Sequence, residues 1–245
     1  MAIVEHALFK FMNFLSEIFL RASKYVGLNA ASPVFTAHYL DEQLPNLEEA
    51  TKEFKGKDGI NILEIGSYEG KASLWFYHSI LTGKNCSITT VDKFRSSAFW
   101  NNTVAERRSG KMKALTGYSF DVLTKLYLSG VRFDFIYIDG SHFSRNVMED
   151  AVVAWRLLNE NGVMLFDDYL WEDIEYFNSL FKVKYEEIRR KYDFSCGNPF
   201  TPKAAVDSFL SAYNLDYELV FSNYQLAVRK TSNKLLGDVG FNLID

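Results

Sequence analysis

The chain has 245 residues, 48% of them hydrophobic, which is enough to bury one large core and suits a single α/β domain with additions. Its 27 basic and 31 acidic residues leave a net charge of -4, so no global basic field recruits DNA or RNA and no nucleic-acid partner is expected. The two cysteines, Cys86 and Cys196, form no C-x-x-C pair, which argues against a structural zinc site and fits a reducing, cytoplasmic setting.

The first predicted element is an amphipathic helix. Leu8, Phe11, Met12, Leu15, Ile18, Phe19 and Ala22 share one stripe, opposed by Lys10, Asn13, Glu17, Arg21 and Lys24. Charges interrupt the run well short of the ~20 apolar residues that span a bilayer, and Glu5 without a basic leader is wrong for a signal peptide. The stripe is expected to pack on its own domain or on a second subunit of a homo-oligomer, with contact to a membrane surface as the other reading. A loop around Ala30 to Pro33 and a second helical stretch to about Phe54 complete an N-terminal helical extension, residues 1–56.

Residues 57–230 carry the main domain. Strand-like runs at Ile60 to Ile65, Ser87 to Val91, Met112 to Leu115, Phe133 to Ile138 and Gly162 to Phe166 alternate with helical patterns, Leu74, His78 and Leu81 in one and Val147, Ala151, Trp155 and Leu158 in another. Such spacing is what βαβ crossovers require, and a doubly wound, mostly parallel, Rossmann-like sheet follows. Tyr217 to Phe221 and Tyr224 to Val228 alternate around Ser222-Asn223 and read as a hairpin on the sheet edge, which brings the strands to seven. Thr201-Pro202 starts a helix from Lys203 to Tyr213. Before it, residues 170–200 are built like a helical lid, with Ile174, Phe177, Phe181, Tyr185, Ile188 and Tyr192 on one face. Residues 231–245 form a tail.

In such sheets ligands bind beyond the carboxyl ends of the strands. The first strand runs Ile62-Leu63-Glu64-Ile65-Gly66-Ser67-Tyr68-Glu69-Gly70. Gly66 permits a sharp turn, Gly70 lets the next helix begin close to a ligand, and Glu64 can accept from a cationic amine. A dinucleotide fingerprint would need glycine at 68 and 71, where the chain has Tyr68 and Lys71. Asp92, followed by Lys93, closes the second strand and is placed to accept from ribose hydroxyls. After the third, Ser119 in Gly117-Tyr118-Ser119 can cap the next helix. Three carboxylates end the fourth and fifth strands, Asp139 in Ile138-Asp139-Gly140-Ser141-His142 and the pair in Phe166-Asp167-Asp168-Tyr169. Anions brought to one point repel unless a cation or protons neutralise them, and oxygen-only ligation suits magnesium.

The segment from Glu64 to Gly70 resembles motif I of the class I S-adenosylmethionine (SAM) methyltransferases. With the acid trio, residues 60 to 230 resemble the metal-dependent O-methyltransferases, including catechol O-methyltransferase and the macrocin and novobiocin sugar enzymes. The resemblance implies that Glu64, Gly66, Ser67, Tyr68, Gly70, Asp92, Lys93, Gly117, Ser119 and Asp139 hold SAM, with Ser119 at the adenine edge and Phe120 in place of a polar neighbour. It implies a divalent cation, Mg2+ by preference, on Asp139, Asp167 and Asp168, and a small-molecule or sugar hydroxyl as methyl acceptor. His142 stands three residues after Asp139, where the catechol group has a lysine, so His142 and Asp139 are the catalytic candidates. A histidine there can otherwise hydrogen-bond the backbone or line the adenine pocket. Tyr169 and Trp171, beside the acid pair, are the substrate candidates. Two other classes stay open: a catalytically silent docking module, and a nicotinamide oxidoreductase disfavoured by Tyr68.

Overall fold

The computed structural model describes residues 32–37, 39–171 and 202–231. The expected N-terminal amphipathic helix, nearly all of the lid and the tail lie outside them. The predicted apolar runs form β1 (Asn61–Ile65), β2 (Ser87–Asp92), β3 (Met112–Thr116), β4 (Phe133–Ile138) and β5 (Leu158–Phe166), and the predicted hairpin forms β6 (Tyr217–Ser222) and β7 (Leu226–Lys230). They make one seven-stranded sheet in the order β3-β2-β1-β4-β5-β7-β6. β1 to β5 pair in parallel, and β7 lies antiparallel between β5 and β6.

Parallel strands covered on both faces must be apolar on both, and alternation then decides which core each side chain enters. On β4, Phe135 and Tyr137 enter the core beneath α1 (Tyr39–Thr51) and α2 (Lys71–Trp75). Phe133, Ile136 and Ile138 enter the opposite core, beneath α5 (Ser119–Leu128), α6 (Ser144–Leu157) and α7 (Pro202–Ala212). Leu47 and Ala50 of α1 are buried in the first core, so the end of the N-terminal extension packs directly on the sheet.

Three local features differ from the sequence reading. β5 begins at Leu158 rather than Gly162, because Leu158 ends α6 in an extended conformation and pairs at once with Phe133, with a register shift before Phe135 meets Val163. α2 widens into a π turn at Phe76–Ile80, where Leu81 N donates to Phe76 O at 3.0 Å. Two short helices, α3 (Ser97–Asn102) and α4 (Val104–Arg108), follow β2, and Ser96 caps α3 by accepting from Phe99 N at 3.0 Å. Runs this short carry too few residues for a helical period to register. Among the described residues, no helix is long and apolar enough to cross a membrane.

Candidate active site

The β1 loop is locked from beneath by the end of β2. Ser67 N, Tyr68 N and Ser67 Oγ donate to Asp92 Oδ2 at 3.0, 3.2 and 3.3 Å, while Phe94 N alone donates to Oδ1 at 3.0 Å. Oδ1 therefore keeps a lone pair for a ligand hydroxyl. Gly66 has φ +86, and a Cβ there would lie 2.0 Å from Asp139 O, so the β1 and β4 loops touch only because residue 66 is glycine. Gly70 meets a different need. Its missing side chain leaves room for Thr103 and Phe99 of the α3–α4 segment, which a Cβ would approach to 2.7 and 3.2 Å.

Glu64 is fully buried on the face of β1 that carries Ile62, where α2 lies. It accepts from Ser73 Oγ, and its Oε1 has no hydrogen-bond partner among the described residues. Burial, eased by the Ser73 hydrogen bond and Arg95, pushes its carboxyl up to about 8. Arg95, which the sequence reading did not single out, buries its guanidinium beneath the same loop. It donates to Ser67 Oγ, to Thr90 O at 2.8 Å and to Leu115 O at 3.0 Å, and lies 4.2 Å over the Phe99 ring. Burial lowers it to about 10 despite Asp92 and Glu64 nearby.

At the ends of β4 and β5, the ligand atoms of Asp139, His142 and Asp168 lie within 4.8 Å of one another. His142 Nε2 is 2.6 Å from Asp168 Oδ2, and its ring stacks on Trp171 at 5.0 Å and 6°. Tyr224 OH donates to Asp168 Oδ1 at 2.5 Å. Asp167, expected beside Asp139 and Asp168 as a ligand, lies in hydrogen-bond reach of Asp139 and accepts from Tyr137 OH at 2.5 Å, from Gln225 Nε2 at 2.8 Å and from Asp168 N at 2.8 Å. His142 joins Asp139 and Asp168 in the converging set. Burial, then the charges of Asp167, Asp168 and Glu64, hold Asp139 well above the usual carboxylate range. Asp167 is pushed up to about 6 by burial and Asp168, against donation from Tyr137 and Gln225. Burial lowers the His142 imidazole, but the charge and hydrogen bond of Asp168 outweigh it and the net shift is upward.

The remaining candidates divide. Gly117 N donates to Asp92 O at 3.0 Å, which draws the β3 loop to the β2 end. Ser119 opens α5 and hydrogen-bonds Asp150 of α6. Lys93 is exposed, its ammonium 5.6 Å over Phe94. Tyr169, expected as a substrate contact, has its side chain buried in the core under α6 and α7, and its hydroxyl donates to Asp207 at 2.8 Å and accepts from Lys203 at 2.9 Å. It follows Asp168, whose φ of +54 turns the chain. Tyr68, Phe94, Tyr118 and Phe143, on the loops after β1 to β4, and Phe120 in the first turn of α5 are exposed. Tyr137, Tyr224 and Gln225 escaped the sequence reading because residues in apolar strands and a hairpin turn look structural. Only pairing of β4, β5 and β7 brings their polar ends to the acids.

Residues 63–169 match the model of a family described as a methyltransferase domain. The match covers 107 of the 245 residues. The fold is similar to that of solved methyltransferases. One is MycE methyltransferase from the mycinamycin biosynthetic pathway, in complex with Mg and S-adenosylhomocysteine (SAH), with a TM-score of 0.55 and 15% identity over 82% of this chain and 52% of that one. Another is an O-methyltransferase from Bacillus cereus in complex with SAH, with a TM-score of 0.51 and 17% identity over 87% and 90% of the two chains. The chain thus spans about half the length of MycE. No curated protein matches it in sequence. The fold places the two loop clusters, around Asp92 and around Asp168, side by side at the carboxyl edge of the sheet.

Proposed function

We propose that the chain is a SAM-dependent O-methyltransferase that methylates a hydroxyl of a small molecule or sugar with the help of a divalent cation. The observation that carries this reading is the convergence of Asp139, His142 and Asp168 beside the Gly66 turn. The donor set fits a hard cation. Crowding and burial hold Asp139 well above the usual carboxylate range and push Asp167 up, so a cation placed among them would favour their charged forms, and carboxylate oxygens suit Mg2+. Asp139 and Asp168 would hold the ion, with the His142 nitrogen within reach and Asp167 orienting the pair from behind. A bound cation would lower the pKa of an acceptor hydroxyl, and bound SAM supplies an electrophilic methyl group. MycE, solved with Mg and SAH, and the Bacillus cereus enzyme, solved with SAH, support both ligands.

The chain's own residues do the rest. Glu64 Oε1 receives the amine of the amino-acid part, Asp92 Oδ1 a ribose hydroxyl, and the aromatic rim the flat base. Methyl transfer is an in-line displacement, so the protein contributes approach geometry and removes a proton. His142, stacked on Trp171, takes the hydroxyl proton as neutral imidazole, with Nε2 serving as the acceptor only when it is not donating to Asp168 Oδ2. The deciding experiment is a thermal-shift screen with SAH, NADH and Mg2+, followed by transfer from methyl-labelled SAM. Stabilisation by SAH and not NADH, with EDTA-sensitive transfer, is the expected result; transfer that survives complete metal removal sinks the cation.

His142→Ala is expected to lower kcat by about 10² to 10⁴, the usual contribution of a general base, with SAH affinity within a few fold. The check is the pH profile of kcat at saturating metal. If variant and wild type share one rising limb and differ by less than about tenfold, the proton leaves by another route.

Glu64 predicts a proton linkage. With its carboxyl pushed up to about 8 in the folded chain from an ordinary value of 4.5, it is protonated at pH 7, and its contribution to stability falls as pH rises from the unfolded to the folded value. A cationic amine on Oε1 favours the carboxylate, so SAH binding at pH 7 should release close to one proton, and well above pH 8 none. Calorimetry in two buffers of different ionisation enthalpy measures this; equal heats at pH 7 would remove Glu64 from the amine site.

A further inference from the structure

The β1 loop is strained and is held from outside by a segment of the N-terminal extension. Gly66, Tyr68 and Gly70 have φ of +86, +43 and +84, and a non-glycine residue such as Tyr68 stays in that region only where its surroundings over-determine it. Asp92 grips this loop from beneath. From above, Thr36 N and Oγ1 donate to Glu69 Oε2 and Oε1, each at 2.7 Å, so one carboxylate is bound through both oxygens. Thr36 Oγ1 also lies 3.3 Å from Tyr68 OH. Asn102 closes the same circuit. Its side chain exchanges two 2.9 Å bonds with the backbone of Val34 and donates to Glu69 O at 3.0 Å. Lys71 adds a 2.6 Å pair with Asp41 and lies 5.8 Å over the Phe35 ring.

Glu69 and Asn102 are buried, and a buried carboxylate with two donors is stable only while both donors are present. The bonds of Thr36 to Tyr68 and Glu69 and of Asn102 to Glu69 meet the loop that carries Ser67 and Tyr68, and the others tie residues 34–41 to Asn102 and Lys71 around it. We infer that residues 34–36 are a latch on the cofactor loop, with Thr36 and Glu69 as positioning residues that hold the loop in its binding shape and slow cofactor release. This rests on the SAM reading given above. Because the latch shapes the bound state rather than the encounter, its loss should appear mainly in the dissociation rate.

The test compares Thr36→Val, Glu69→Gln and the double variant with Asn46→Ala. Asn46 anchors α1 at its far side, through paired 2.9 Å bonds with Asn223 in the β6–β7 turn, and so reports general loosening of the extension. SAH affinity and dissociation rate are read by stopped-flow fluorescence, and amide exchange is followed at residues 66–70. Thr36→Val and Glu69→Gln should each weaken SAH roughly tenfold, about 1.4 kcal/mol, through faster release, with faster exchange in the loop. The double variant should add little, since both changes break one circuit. Asn46→Ala should leave SAH within about twofold of wild type, well below one hydrogen bond's effect. Unchanged release in the latch variants, or equal weakening by Asn46→Ala, overturns the latch while leaving the SAM reading intact. Failure of the wild type itself to bind SAH overturns both.

Discussion

Gly66→Ala is expected to abolish SAH binding and to lower the midpoint of thermal unfolding. Alanine at φ +86 carries strain of about 1–2 kcal/mol by itself, and the added Cβ would lie 2.0 Å from Asp139 O and 2.5 Å from Asp139 C. Backbone cannot rotate away as a side chain can. Either the β1 loop leaves Asp92 or the β4 loop carries Asp139 away from His142 and Asp168, so both loop clusters lose their geometry together. A destabilisation of at least about 3 kcal/mol is expected, which corresponds to roughly 6–12 °C for a chain of this size. The readout is a melt with and without SAH. For wild type, ligand at 100 times Kd should add about 2.7 kcal/mol, and for the variant nothing. A variant that keeps the SAH shift would show that the loop tolerates a Cβ and that the contact with Asp139 is not needed. By contrast, Gly70→Ala strains the chain against Thr103 and Phe99, whose side chains can move, so its loss should be smaller.

Asp168→Asn is expected to have the second-largest effect, on cation binding and turnover. Asp168 has φ +54, a conformation that asparagine tolerates better than most residues, so the exchange removes charge and leaves the chain path intact. Tyr224 OH can still donate to the amide oxygen in place of Asp168 Oδ1. What is lost is an anionic ligand atom of the cluster with Asp139 and His142. Mn2+ affinity should therefore fall by more than the roughly 10- to 100-fold seen when a group that merely orients a ligand is removed. SAH affinity should stay within a few fold, because most of the contacts proposed for it lie at the ends of β1, β2 and β3. Titration with Mn2+ followed by electron paramagnetic resonance gives the first number, and calorimetry with SAH the second. Equal Mn2+ affinity in variant and wild type would leave the acids as a buried hydrogen-bonded network with no cation to hold.

The sequence by itself determined the sheet. Runs of Ile, Leu, Val and Phe with helical patterns between them admit few arrangements other than parallel strands buried on both faces, and the glycine at 66 and acid at 92 mark strand ends, because turns and ligand contacts there follow from local backbone rules. The same locality explains the misses. Helices as short as α3 and α4 leave no period to read, and Leu158 obeys a helical spacing while its backbone already belongs to β5. The site was legible as a list of acids but not as an arrangement. Asp167 and Asp168 are chemically identical in sequence, and only the left-handed turn at Asp168 sends one toward His142 and the other toward Tyr137 and Gln225. Arg95, Tyr137, Tyr224, Thr36 and Glu69 acquire their roles from partners up to 56 residues away, as with Tyr224 against Asp168. Hydrogen-bond partners across strand ends depend on register and loop approach, which are settled when the two cores pack, and no local pattern of residues encodes them.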